Sequence, residues 1–519
     1  MNQAEIVSTL RNGYLLSRHP EGVELIQTHI SYLLIAGSDV YKIKKPVNFG
    51  FLDFTTLEKR RHFCEEELRL NRRFAPHIYL NVVAITLDER GALSLDGDGE
   101  VIEYAVHMKR LPEEGMLKRL IAKPDFDPSI IDRIAFRLAQ FHSQAETGGK
   151  IDEMGAPEII RFNHEENFAQ TQKYVGLTIG EDEYAFIRQY AEEFLRERDA
   201  LLRERVKAHR IRDCHGDLHL EHICLDKDIT FFDCIEFNER FRFSDVAAEV
   251  AFLTMDFDFN GYRAYAKRFA SAYAQETKDR GVMTLLDFYR CYYAYVRGKV
   301  VSFRLDDPAI PEAERKMAQK TARRYFSLAY QYARGVERPS LIIMVGLTGT
   351  GKTVVAREIA RRLDASLIQT DVIRKEMAGL SPGEHRYEPA GEGIYSPEMS
   401  RRTYEEARAR ARKALQEGKS VIIDATHTSD RERQAAADLA REMGAQFYIV
   451  NCTCPEEIVK ERLYKRLDEP GEASDGRWEI YLHQLKGLAP LAAWKDVLIS
   501  VDTSRPREEV MATIFTFLG

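Results

Sequence analysis

Apolar residues follow two different rhythms along this chain. Between 29 and 111 they come in short β-type runs: HISYLLIAG (29–37), VYKIKK (40–45), LNVVAITL (80–87) and EYAVHMKRL (103–111). A highly charged helical stretch near 56–74 separates the second run from the third. From about 127 to 334 the spacing is mostly helical, interrupted by ICL and ITFFDCIEF (229–237). Strands first and helices later predict an α+β body with a small sheet-rich lobe and a larger helical lobe. After residue 340 strands and helices alternate. LIIMVG (341–346), SLIQTD (366–371), SVIIDAT (420–426), QFYIVNC (446–452) and VLISVD (497–502) are separated or followed by helical patterns at 352–363, 397–417, from 455, and 507–518. Continuous Val/Ile/Leu strands in that alternation predict a doubly wound parallel α/β sheet. GVERPS (335–340) sets Gly335 behind a helix and Pro339 before a strand, so the predicted domains are 1–335 and 340–519.

Composition narrows the classes. The 519 residues carry 75 basic and 82 acidic side chains, a net charge of −7, which argues against a chain that coats nucleic acid while leaving room for a local basic cleft. Seven cysteines without a CxxC pair fit free thiols in a reducing compartment. Glu5 and Arg11 interrupt any apolar core of a leader, and no run approaches the ~18 to 20 apolar residues of a membrane span. The expectation is a cytoplasmic protein without a membrane partner.

GLTGTGKT (346–353) fits G-x-x-x-x-G-K-[ST], between a predicted strand and a predicted helix. Gly346, Gly349 and Gly351 allow backbone N–H groups to turn inward around phosphate oxygens, with Thr348 and Thr350 in the same loop. Lys352 adds a charge at the β/γ-phosphates of ATP, the Thr353 hydroxyl is a Mg²⁺ ligand, and the helix N-terminus faces the phosphates. Asp371, at the end of the second predicted strand, and Arg374, three residues on, are candidates for a general base and a phosphoryl clamp. Asp424 ends the VIID strand, where a metal shell or substrate is held. Arg462 and Arg466 share a helix face and could close over the transferring phosphate. Arg431 and Arg433 have no assigned role.

GLTGTGKT, QTDVIRKEM and SVIIDATHTSDRER resemble the P-loop kinases that include polynucleotide 5′-hydroxyl kinase and zeta-toxin-like sugar kinases. Over about 180 residues this implies Asp371 as general base, Arg374 on the reacting phosphate or acceptor, and Asp424 at the acceptor.

HGDLHLEHI (215–223) and ITFFDCIEF supply a His-x-Asp loop followed by a strand with a second Asp. In a kinase-like fold Asp217 orients and deprotonates the acceptor hydroxyl and Asp233 holds Mg²⁺. Lys42 and Lys44 alternate onto one face of VYKIKK, and either can meet the α/β-phosphates; Glu66 or Glu67 can orient that lysine. These segments, with FSDVAAEVAFLTMD, resemble the aminoglycoside phosphotransferase and choline kinase group over about residues 25–300, a relative of the protein kinases. The resemblance implies Asp245 as a carboxylate bracing the catalytic loop and MKRLPEEG (108–115) as the hinge below the adenine. It departs in two places: His222 stands where the pattern places a metal-binding Asn, and no Gly-rich loop joins the first strands. Cys214, His215, His219, His222 and Cys224 also cluster, in a spacing that matches no standard zinc finger.

The chain therefore reads as a bilobal protein-kinase-like domain followed by a P-loop domain. The expected activity is transfer of the ATP γ-phosphoryl group to the hydroxyl of a small molecule or sugar at the P-loop domain, with a second kinase site in the N-terminal domain. Two rivals remain: a polynucleotide 5′-hydroxyl kinase, and an ATP-driven switch whose N-terminal domain is a binding module.

Overall fold

The computed structural model describes residues 1–12, 22–308, 310–335, 339–381, 384, 391–467 and 476–518. Residues 336–338 of the boundary segment lie outside the described residues. The chain divides into two compact units, Met1–Asp256 with Arg268–Ala333, and Arg334–Gly519 with Phe257–Lys267.

The first unit opens on a six-stranded antiparallel sheet: β1 (Glu24–Gln27), β2 (Ser31–Ala36), β3 (Asp39–Lys44), β4 (Tyr79–Leu87), β5 (Leu93–Leu95) and β6 (Glu100–Lys109), in the order β1-β2-β3-β6-β4-β5. The sequence reading lacked β1, β5 and the helix Gln3–Asn12, whose Ile6, Val7 and Leu10 pack with Leu34, Ile43, Val83 and Ala105. Because Ile43 faces that core, its neighbours Lys42 and Lys44 face the other way. There they meet the helix Leu57–Asn71, capped by the Thr56 side chain.

In the helical lobe, β7 (Ile211–Asp213), β8 (Ile223–Leu225), β9 (Ile229–Phe231) and β10 (Phe243–Asp245) form two small antiparallel ribbons, β7 with β10 and β8 with β9. The run predicted as a strand over 229–237 stops at Phe231, because Asp233 takes φ +63, a left-handed conformation no ladder accepts. The long helices Pro157–Thr171 and Gly281–Phe303 pack on each other and, with residues of β10, line one cavity.

The second unit holds β11 (Ser340–Val345), β12 (Ser366–Gln369), β13 (Val421–Asp424), β14 (Gln446–Thr453) and β15 (Leu498–Asp502), all parallel, in the order β12-β13-β11-β14-β15. Along central β11, Leu341, Ile343 and Val345 enter one core while Ile342 and Met344 enter the other. Burial on both faces explains the unbroken apolar run. The phosphate loop leaves the carboxyl end of β11, where open α/β sheets bind ligands. Asp371 does not end a strand: β12 stops at Gln369 and Asp371 lies in the first turn of the helix Thr370–Met377. The Thr370 hydroxyl anchors that turn by donating to the Asp424 carbonyl at 3.1 Å.

No described helix is long and apolar enough to cross a membrane, and all seven cysteines are free thiols.

Candidate active sites

The first unit encloses a cavity of about 1510 Å³ whose lining includes Lys42, Tyr79, Asp217, Asp233 and Glu236. β3 places the two lysines differently. Lys42 Nζ lies 2.8 Å from Glu67 Oε1 and 2.5 Å from Asp233 Oδ1. Lys44 is buried between Glu67, at 2.6 Å, and Glu236. Glu67 is thus the acidic partner of both, whereas Glu66 pairs with Arg69 at its own helix surface. Burial opposes the charges on Lys42 and Asp233, but Asp233, Glu67 and Glu236 together outweigh it at Lys42, and Lys42, His222 and Lys44 together outweigh it at Asp233, raising the Lys42 pKa and lowering that of Asp233. The strained Asp233 backbone is pinned by Tyr79, whose hydroxyl accepts from Asp233 N–H at 3.0 Å. The turn between β1 and β2 is Thr28-His29-Ile30, and Thr28 and Ile30 line the cavity.

Asp217 projects from the loop between β7 and β8. Burial pushes its carboxyl up, but His219, His222 and Arg297 outweigh that and hold it at about 2, so it is ionised at neutral pH. The carboxylate bracing this loop is Glu249, which accepts from the N–H groups of His215 (2.7 Å) and Gly216 (2.8 Å) and from His142 Nε2 at 2.7 Å. The expectation for Asp245 is corrected accordingly: Asp245 pairs with buried Arg205 and accepts from Ala247 N–H at 2.8 Å, at the start of the helix that presents Glu249 one turn later. Glu249 and Glu236 were missed in the sequence. The signal for Glu249 was a lone carboxylate in the apolar run VAAEVAF, where only a buried partner stabilises it.

Whether these donors suit a divalent cation is decided at His222. Its Nδ1 lies 2.8 Å from the Asp217 carbonyl and so carries the proton, leaving the Nε2 lone pair 3.6 Å from Asp233 Oδ2. Two acceptors facing each other at that distance suit a cation between them, and the imidazole nitrogen suits Mn²⁺ or Zn²⁺ better than Mg²⁺. The Cys/His cluster is divided. Ligand atoms of Asp217, His219 and His222 converge, Cys214 sits with His142 and Glu249, and the Cys224 thiol lies by the Pro112 carbonyl.

In the second unit, Thr348, Gly349, Gly351, Lys352, Thr353, Asp371, Arg374 and Asp424 all line one cavity of about 440 Å³. Gly346, at φ +139, lies so close to the next strand that an added Cβ would come 2.5 Å from the Cys452 carbonyl oxygen, so only glycine fits. The Thr350 hydroxyl and Lys352 Nζ both donate to the Leu347 carbonyl, at 2.8 and 2.7 Å, which curls the loop. Thr348 N–H donates to Gln484 Oε1 at 2.8 Å: the loop already offers an amide to an incoming oxygen. The Thr353 hydroxyl donates to Asp424, whose carboxyl burial raises above its ordinary range despite Lys352 nearby. A hydroxyl, a carboxylate and a lysine at a phosphate loop form a donor set suited to nucleotide phosphates with Mg²⁺.

Asp371 Oδ1 accepts from Arg374 Nη1 at 2.9 Å, and the guanidinium lies over the Tyr395 ring, 4.8 Å from its centroid. Arg462 is not in this cavity. It donates to the Thr503 hydroxyl and carbonyl at 3.0 and 2.8 Å and lines a separate hollow beside Gly349 and Gly351. The Arg466 side chain lies outside the described residues. Arg433 is buried and donates to the carbonyls of Ala489 and Pro490, a structural tie.

Two family models match separate stretches of the chain. Residues 52–295 match the model of the "Phosphotransferase enzyme family" and residues 341–491 that of an "AAA domain". The uncharacterized protein Rv2004c of Mycobacterium tuberculosis H37Rv is 30% identical over 489 residues, spanning 94% of this chain and 93% of that protein. Among solved structures, a gluconokinase from Sinorhizobium meliloti 1021 is 17% identical and covers 34% of this chain and 91% of its own, with a TM-score of 0.25. One from Ralstonia eutropha JMP134, described as an aminoglycoside phosphotransferase, is 12% identical and covers 60% of this chain and 92% of its own, with a TM-score of 0.38. Fold and families together define a two-domain phosphotransferase, a kinase-like unit joined to a P-loop kinase unit, with ATP as phosphoryl donor. The chain belongs to the family of the mycobacterial protein Rv2004c.

Proposed function

We propose that each domain, 1–335 and 340–519, is a complete ATP-dependent phosphotransferase acting on the hydroxyl of a small molecule. The observation that carries the first is Lys42, ion-paired with both Glu67 and Asp233, the arrangement that positions ATP phosphates in kinase-like folds. In that site Lys42 binds the α/β-phosphates, Asp217 takes the acceptor proton, and His222 and Asp233 hold the divalent cation. In the second, the 346–353 loop and Lys352 hold the phosphates, Thr353 and Asp424 hold Mg²⁺, Asp371 is the base, and Arg374 steadies the phosphoryl group. Arg462 flanks the nucleotide from the outer side of the loop. When bound, the cation neutralises charge on the phosphate oxygens.

In both reactions an O–P bond forms between acceptor oxygen and γ-phosphorus while the β–γ bridging bond breaks, its electron pair leaving with ADP. The carboxylate of Asp217 or Asp371 receives the hydroxyl proton. The ionised Asp217 supports this assignment, since a protonated carboxyl could not accept.

The test supplies γ-labelled ATP with a deproteinised small-molecule extract and, separately, an oligonucleotide bearing a 5′-hydroxyl. Label in the small-molecule fraction is expected. Label on the oligonucleotide alone, or free phosphate as the sole product, would replace this reading with the nucleic-acid kinase or the ATP-driven switch.

A further inference from the structure

The cavity of the first unit extends well past its phosphotransfer groups, and the charge of that extension is one-sided. Apart from Lys42, Asp217, Asp233, Glu236 and the Arg205-paired Asp245, its charged lining residues are Glu166, Lys173, Arg240, Arg297 and Lys299. Glu166 is engaged by Arg240 at 2.7 Å, and Lys173 pairs with Asp306 at 2.7 Å. Lys299 has no carboxylate in contact. Its ammonium donates to Asn167 Oδ1 at 2.6 Å and Gln170 Oε1 at 2.7 Å, both neutral amides. Burial lowers its pKa to about 8 against the opposing charge of Glu166, which Arg240 already engages, so Lys299 remains a cation near neutrality. Arg297, one helical turn away with respect to Tyr293 and on the same helix as Lys299, hydrogen-bonds Tyr325, and its charge is felt at Asp217.

The rest of the wall is also built for a ligand. His164 and Asn163, adjacent on the helix Pro157–Thr171, line the cavity, and His164 Nε2 and Asn163 Oδ1 have no hydrogen-bond partner among the described residues. His164 is only 7% exposed, and burial keeps it neutral, able to donate to or accept from a hydroxyl. On another side Phe49 and Phe51 are 48% and 42% exposed, and Phe51 packs against Phe237 and Phe241. A half-buried ammonium with no carboxylate in contact, unpartnered hydroxyl-bonding groups and an exposed aromatic face together describe a site for an anionic molecule rich in hydroxyls. An acceptor carrying ammonium groups would meet like charge there.

We propose that the acceptor of the N-terminal domain is a polyhydroxylated anion, its carboxylate or phosphate monoester held by Lys299 while a free hydroxyl reaches Asp217. This rests on the reading of that cleft as a phosphotransfer site, and the experiment separates the two. The full-length Lys352→Ala variant, its P-loop site silenced, is given γ-labelled ATP and the anionic, neutral and cationic fractions of a deproteinised extract, resolved by ion exchange. Label in the anionic fraction is expected. Label confined to the neutral or cationic fraction overturns the anionic acceptor but keeps the transfer reading, and no label in any fraction overturns both. Phosphatase treatment of the anionic fraction beforehand abolishes labelling if the anion is a phosphate ester and spares it if a carboxylate.

In the same background Lys299→Met is expected to raise the acceptor KM at least ten-fold with little change in kcat, and Lys299→Arg to recover most of the loss. Melting transitions identify a variant that fails to fold. A folded Lys299→Met protein with unchanged KM for the anionic acceptor would remove Lys299 from the site.

Discussion

The ammonium of Lys42 and the carboxylate of Asp233 lie 2.5 Å apart although 191 residues separate them in the chain. That contact joins the sheet to the segment after the loop that carries Asp217, and Glu67 completes it from the helix Leu57–Asn71. The neighbouring lysine, Lys44, is sealed away at 1% exposure. The two lysines should therefore fail differently. Lys42→Met is expected to lower N-terminal transfer by about 10²-fold or more in a folded protein. Lys44→Met leaves Glu67 and Glu236 facing each other in the core and should cost about 3–5 kcal/mol of stability. Steady-state kinetics and urea unfolding of both variants check this.

Glu249 supplies a second contrast. Glu249→Ala orphans the buried amide of His215, at about 1–3 kcal/mol, and the half-buried amide of Gly216, and loosens the loop that carries Asp217. Loss of stability should come with a drop in kcat. Asp245→Asn weakens the Arg205 pair and should lower stability while leaving kcat of the folded fraction near wild type.

His222 should set the metal preference. The wild-type N-terminal site is expected to favour Mn²⁺ over Mg²⁺, and His222→Asn, which restores an amide oxygen, should reverse that order. Electron paramagnetic resonance of bound Mn²⁺ gives an independent reading: nitrogen coupling from the imidazole is expected in the wild type and absent in the variant.

His164 predicts a pH effect on stability. Its ordinary value is 6.5, and burial lowers it to about 3 in the folded protein. The unfolded chain takes up the proton first as pH falls, so the contribution is intact above 6.5 and is lost progressively down to about 3. Across that window the slope from this group is about 1.4 kcal/mol per pH unit. His164→Gln should flatten the acid limb of the stability profile, measured by denaturant unfolding at successive pH values.

Much of this architecture was legible because its signals are local. GLTGTGKT and HGDLH are contiguous, and the doubly buried strand LIIMV announces a parallel sheet by its unbroken apolar run. What stayed hidden depends on tertiary context. Nothing in VYKIKK ranks Lys42 over Lys44, because the choice is made by which lysine meets Asp233 and which is enclosed with Glu236. The break after Phe231 depends on one left-handed residue, Asp233, and the early start of the helix at Thr370 on a hydrogen bond to Asp424. The exposed face of β1 gives no alternating pattern to read. On the helix Gly281–Phe303 the aromatic spacing alone does not mark Tyr292, Arg297 and Lys299, which line the cavity of its unit.

The central claim, two separate transfer sites in one chain, is tested most directly by resolving labelled products of Asp217→Asn, Lys352→Ala and the double variant beside the wild type. With γ-labelled ATP and a small-molecule extract, each single variant should lose a different product and keep the other, and the double variant should lose both. A single variant that abolishes every labelled product, or an Asp217→Asn protein with an unchanged product profile, would contradict the account.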